Sequence, residues 1–167
     1  MDNFKSITEK YKIQIPIIQR DYAQGRTDQK ASQVREGFLD SIHEVLEKKA
    51  TLHLDFIYGS IKEGNFIPLD GQQRLTTLFL LYWYFGKKED NNINYLKNFT
   101  YETRASSREF SSKLIDCNID FLTTNISGQI KDSSWFLAFW ENDPSIRGML
   151  TMIDEIHSKF NSLSFYD

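Results

Sequence analysis

From Gln72 to Phe85 the chain reads QQRLTTLFLLYWYF, and beyond Arg74 every side chain except two threonines is apolar or aromatic. Leu75, Leu78, Phe79, Tyr82 and Phe85 recur at helical spacing, while Leu80, Leu81, Trp83 and Tyr84 fill the remaining faces. The spacing predicts a helix from Gln72 to Phe85 that has to be covered nearly all round, so the rest of the chain must be built about it. A length of 167 residues, 40% of them apolar, is enough to do so, as one globular domain or one domain with a helical extension. Thirteen Phe, eight Tyr and three Trp make ring packing the expected substance of that cover.

The covering segments can be read from their patterns. Asn3 to Tyr11 suits a short helix, and YKIQIPIIQRDY alternates Ile13, Ile15 and Ile17 around Pro16, as an edge strand or a turn into a loop would. RDYAQGRTD is polar and reads as a loop. Between Gln29 and Lys49, Val34, Phe38, Leu39, Ile42, Val45 and Leu46 mark an amphipathic helix. HLDFIYGSI and NFIPLD are apolar runs joined by KEGN, where Gly64 can take the positive φ of a tight turn, which predicts a hairpin. Apolar density then collapses between Lys87 and Asn92, dividing the chain into a first part, 1–88, and a helical extension, 89–167. In that extension YETRASSREFSSKLIDCN, DSSWFLAFWEN and DPSIRGMLTMIDEIHSKF are helical by spacing, with Pro144 in a first turn. The chain stops just after the last of these, without a polar tail, as a piece of a longer protein would.

Several function classes drop out. No stretch approaches the roughly 18 apolar residues of a membrane span, and MDNFKSITEKYK lacks a signal-peptide pattern, so a cytoplasmic protein without membrane partners is expected. The single Cys117 leaves no disulfide framework or CxxC metal site and reads as a buried small hydrophobe. His43, His53 and His157 lack metal-ligand spacing. The formal net charge is −3 and neither half is a basic body, so duplex DNA would have to be held locally or through another part of the protein. A small phosphorylated ligand needs only a few cations.

One stretch is suited to such a ligand. In DGQQRLTT, Asp70 closes the second hairpin strand, Gly71 turns, and Gln72, Gln73 and Arg74 open the helix. A glycine there admits close approach to the backbone, and a first helical turn offers N–H donors and partial positive charge to an anion. Arg74 can grip two oxygens of one phosphate, Gln72 and Gln73 can donate or accept, and Thr76 and Thr77 add hydroxyls. Asp70 would cap the helix, hold an arginine, or bind a cation that travels with a phosphate, as magnesium does with a nucleotide. An ordinary N-cap ahead of a polar first turn fits the same residues. In the loop after the first strand Gln19, Arg20, Asp21, Tyr22, Gln24 and Arg26 crowd together, and Arg104 and Arg108 stand four apart, on one face if a helix includes both.

Taken together, IPIIQRDYAQGR, FIYGSI, IPLDGQQRLTTLFLLYWY, YETRASSREF and WENDPSIRGML resemble the N-terminal domain family found in the S part of GmrSD-type modification-dependent restriction enzymes and related phage-defence proteins, from about Tyr11 to about Ile156. The resemblance implies an α+β fold like ParB and sulfiredoxin, a small mixed sheet with helices followed by an α-helical part. It also implies a nucleotide-dependent role, with NTP (GTP, CTP or ATP) and Mg2+ licensing cleavage of DNA by a downstream nuclease domain, and DNA met through the full-length protein or a partner subunit. By position the DGQQR box is Asp70, Gly71, Gln72, Gln73 and Arg74, the upstream box is Gln19, Arg20 and Tyr22, and Gly59 matches the strand glycine. In this reading Asp70, Gln72, Gln73 and Arg74 are catalytic, with Asp70 the magnesium ligand, while Gln19, Arg20, Tyr22, Gly59, Gly71, Thr76 and Thr77 bind nucleotide. Gln24 stands where the family usually has Trp, which makes the pocket more polar. The chain has no GxxxxGK lysine motif, so hydrolysis would not be P-loop chemistry. The alternatives are a ParB-like domain that binds or nicks DNA directly, and a non-catalytic scaffold.

Overall fold

A computed structural model describes residues 3–16, 22–50, 54 and 57–163. In chain order it contains α1 (Phe4–Lys10), β1 (Lys12–Ile15), α2 (Gln29–Glu47), β2 (Gly59–Lys62), β3 (Asn65–Pro68), α3 (Gln72–Lys88), β4 (Phe99–Tyr101), α4 (Ala105–Asp116), α5 (Ile126–Lys131) and α6 (Pro144–Phe160). Short 3-10 turns occupy Ala23–Gly25, Asn94–Asn98 and Ala138–Asn142.

The sheet is mixed, in the order β2-β3-β1-β4. β2 and β3 form the expected antiparallel hairpin, with Ile61 opposite Phe66. Its turn places Glu63 at φ 51° and Gly64 at φ 79°, so both central residues take the left-handed region that matches the twist of a two-residue hairpin. β1 runs parallel to both β3 and β4, pairing Ile13 with Phe66 and with Phe99. The α+β class is thus as the sequence suggested.

α3 is the covered helix. Phe79, Leu80, Trp83, Tyr84 and Phe85 have no measurable exposure. On one side Phe79 stacks on Phe99 of β4 at 4.7 Å between ring centres; elsewhere α3 packs along α6, where Phe85 meets Phe160 edge-on at 5.7 Å. The indole N–H of Trp83 donates to the Leu114 carbonyl of α4 at 2.7 Å, which satisfies its one polar atom inside the core. Residues on both sides of position 88 share one hydrophobic cluster.

Several elements differ from the patterns. Tyr101, read as the first residue of a helical stretch, instead ends β4, because the three alternating residues Phe99 to Tyr101 find a parallel partner in β1. Arg104 precedes α4 with φ −83° and ψ 87°, so it does not share a helical face with Arg108. The DSSWFLAFWEN stretch makes only the turn Ala138–Asn142. There Trp140 meets Phe110 edge-on at 5.9 Å and Phe136 at 5.6 Å, and this ring cluster, not a helical ladder, organises the backbone. Cys117 ends α4 in extended conformation and is buried; burial pushes its thiol up to about 11, which leaves it inert.

Candidate functional site

The turn from β3 into α3 is held by backbone before any side chain acts. The Tyr58 carbonyl accepts from the N–H of Leu69 at 2.9 Å and of Asp70 at 3.2 Å. Gly71 then takes φ 82° and ψ 9° as the N-cap of α3. A Cβ at that position would stand 2.7 Å from Ile57 Cγ1, so dihedral and space both demand glycine. No side chain caps α3 at this end.

Asp70 therefore does not cap the helix. Its carboxylate lies 3.6 Å from Arg74 Nη2, with the aspartate side chain 60% exposed and the arginine 19%. Of the roles open to Asp70 from sequence, holding an arginine is the one seen; so exposed a pair adds about 0–1 kcal/mol to stability. Gln72 Nε2 donates to the Pro68 carbonyl at 2.9 Å, tying the first turn of α3 back to β3. Gln73 Oε1 accepts from the Ala23 N–H at 2.8 Å, which joins the DGQQR box to the loop carrying Tyr22.

Deeper in, Thr76 and Thr77 are buried and act within the protein. Thr76 Oγ1 meets the Tyr101 hydroxyl at 3.1 Å and the Gln72 carbonyl at 3.2 Å. Thr77 Oγ1 meets the Tyr22 hydroxyl at 2.5 Å and Gln24 Oε1 at 2.5 Å. Because Gln24 Oε1 and the Gln73 carbonyl, 3.1 Å from Thr77 Oγ1, can only accept, the one Thr77 proton is shared between them and Tyr22 donates to Thr77. Burial drives the Tyr22 phenol well above its ordinary range and pushes Tyr101 up to about 12, so both stay protonated donors. Gln24, in the place expected for Trp, is thus a hydrogen-bond partner of Thr77.

Two participants carry no local sequence signal. Ser145, in the first turn of α6, accepts from the Tyr22 N–H at 3.1 Å and from Arg104 Nη1 at 2.7 Å. Tyr101 was hidden by its placement in a helical pattern. With Pro16, Tyr22, Thr76 and Arg104 they line a cavity of about 10 Å3, room for one water. Gly59 opens β2 opposite Pro68, one residue beyond the carbonyl that fixes Asp70. Gln19 and Arg20, with the neighbouring Asp21, lie outside the described residues, as do Ile17 and His53.

A wider groove of about 650 Å3 lies where α2, α5 and α6 approach the Ala23–Gly25 turn. Its Arg26, Lys131 and Arg147 are offset by Asp28 and Asp154, which cap α2 and bind Ser127. Among the described residues no three His, Cys, Asp or Glu side chains gather to hold a metal, and no helix is long and apolar enough to cross a membrane.

Neither a curated protein nor a solved structure matches the chain. The family model of the GmrSD restriction endonuclease N-terminal domain matches residues 2–166. With nearly the whole chain inside that match, the protein belongs to the GmrSD N-terminal domain family and is a component of a restriction or phage-defence protein.

Proposed function

We propose that this domain binds a nucleoside triphosphate with magnesium at the turn between β3 and α3, and hydrolyses it to control DNA cleavage by a nuclease domain of the full protein. The observation that carries the reading is Gly71. Its left-handed backbone starts α3 on a residue with no side chain, beside the Asp70–Arg74 pair and at the edge of the Tyr22 loop. A helix start of this kind suits phosphate oxygens.

The roles divide by position. Arg74 supplies a guanidinium for the phosphates, with Asp70 keeping it oriented. Gln72 and Gln73 fix the first turn to β3 and to the Tyr22 loop. Thr76, Thr77 and Tyr22 act as positioning residues, since their hydroxyls are spent on one another and on Tyr101 and Gln24. A single exposed carboxylate fits magnesium, which keeps several waters and usually takes one or two carboxylates plus substrate phosphates. Asp70 is that carboxylate; magnesium, when bound, supplies neutralisation of charge on the phosphates. Catalysis here is positioning and electrostatics, because phosphoryl transfer asks little covalent chemistry of the protein.

Titration calorimetry with GTP, CTP and ATP, each with magnesium, tests the reading on this chain and on Arg74→Ala. Saturable binding by at least one nucleotide, weakened about 10-fold or more in the variant, is the expected result. Absence of binding at millimolar nucleotide would leave a scaffold or a direct DNA binder in its place, and equal affinity in the variant would overturn the role of Arg74.

A further inference from the structure

β3, β1 and β4 run parallel and so end on the same edge of the sheet, at Pro68, Ile15 and Tyr101. In open sheets of this kind ligands bind in the crevice beyond the carboxyl ends of the strands. The connections leaving β3 and β1 carry the residues of the proposed nucleotide site. The connection leaving β4, residues 102–104, has no role in that reading.

That connection starts beside the end of β1, where the Glu102 N–H donates to the Ile15 carbonyl at 2.9 Å. It brings Arg104, half-buried, to the wall of the 10 Å3 cavity shared with Pro16, Tyr22, Thr76 and Ser145. Thr76 lies one helical turn from Gln72 and bonds its carbonyl, so the cavity adjoins the DGQQR turn. The guanidinium is aimed by α6: Ser145 Oγ accepts Arg104 Nη1 at 2.7 Å, and the Ser145 N–H is held in turn by Asp143 Oδ1 at 2.8 Å. The same Ser145 oxygen holds the Tyr22 backbone. One hydroxyl therefore holds both the Tyr22 backbone and the arginine after β4.

We propose that Arg104 is a further ligand-binding residue of this site, gripping the phosphate chain of the nucleotide from the β4 side while Arg74 does so from the α3 side, with Ser145 as its positioning residue. The inference rests on the nucleotide reading above. Charge gives the reason: a triphosphate carries several negative charges, and Arg74 shares its own with Asp70. A second guanidinium on a different element, held at a fixed corner of the same edge, supplies the missing balance and a second fork for bidentate contact. A monophosphate carries less charge and fewer oxygens, and so has less need of both.

Calorimetric titration of each triphosphate and its monophosphate, with magnesium, against the unaltered chain, Arg74→Ala, Arg104→Ala and Arg104→Lys provides the test. Arg104→Ala is expected to lose about 10- to 100-fold in triphosphate affinity and much less in monophosphate affinity, with Arg104→Lys recovering only part. Thermal melting reports whether each variant folds; should Arg104→Ala fail to fold, Arg104→Lys decides through a lowered triphosphate-to-monophosphate preference. If Arg74→Ala loses binding while the Arg104 variants keep that preference, Arg104 merely ties β4 to α6, and this inference fails while the nucleotide reading stands. No binding by the unaltered chain overturns both.

Discussion

α3 and α6 have 17 residues each and pack on one another, yet they begin in opposite ways. α6 starts on Asp143, whose carboxylate accepts the N–H groups of Ser145 at 2.8 Å and Ile146 at 3.2 Å, with Pro144 pre-set for the first turn. α3 starts on a left-handed glycine with nothing to offer as a cap, and the aspartate beside it turns to Arg74 instead. The far end of α6 is finished too, since Lys88 Nζ donates to the carbonyls of Phe160, Asn161 and Leu163 at 3.2, 2.7 and 2.6 Å. The protein completes one helix at both ends with its own groups. The contrast teaches that the two helix starts are set by different means, a side-chain cap at α6 and a left-handed glycine packed on Ile57 at α3.

That comparison can be broken in several ways. The greatest effect belongs to the part of α3 that resembles α6, its buried interior: Trp83→Ala removes a fully buried ring and leaves the Leu114 carbonyl without its donor, at a cost of about 3–5 kcal/mol measured by denaturant unfolding. The two helix starts come next. Gly71→Ala should cost about 1–3 kcal/mol, because a side chain must enter φ 82° and meet Ile57. Asp143→Ala, which loses its cap and its contact with Ser106, should cost about 0.5–2 kcal/mol. The sharper distinction is in binding, where Gly71→Ala is expected to abolish nucleotide affinity and Asp143→Ala only to weaken it through Ser145. Equal losses in both would remove the contrast between the helices.

The smallest effect is a pH dependence. Tyr101 is buried and its pKa rises from the ordinary 10 to about 12, so the folded state holds this proton more tightly than the unfolded chain. Its contribution to stability is complete below pH 10 and is lost as pH climbs from there through 12. The slope it adds is at most about 1.4 kcal/mol per pH unit. Tyr101→Phe should lower stability near neutrality by about 0.5–1.5 kcal/mol, through the lost Thr76 bond, and flatten the alkaline decline. Unfolding curves between pH 8 and 11 with a slope unchanged by the substitution would show that burial does not raise the Tyr101 pKa.

Much of the architecture could be read from local chemistry. α2 and α6 follow from apolar spacing and from Asp28 and Asp143 as caps, and the hairpin follows from Gly64 between two apolar runs. β4 could not, because three residues carry too short a period to tell strand from helix, and only β1 makes them a strand. The Trp135 to Trp140 stretch misled for a related reason. Its rings recur as a helix face would, but they close on Phe110 across the fold. At the candidate site the DGQQR turn was visible in the sequence, whereas Ser145 was not, since its bond to Tyr22 spans 123 positions.

The sequence alone determined that a helix apolar on every face, opened by Asp-Gly, must lie at the centre with an aromatic cover, because an all-round apolar surface has no stable place in water. Only the tertiary structure decided which groups meet at its start. The direction of the Asp70 carboxylate, the burial of Thr76 and Thr77 and the union of Tyr22, Arg104 and Ser145 depend on strands from distant segments ending at one sheet edge. Hydrogen bonds between residues so far apart leave no periodicity in the chain; they exist only once the sheet has set the distances.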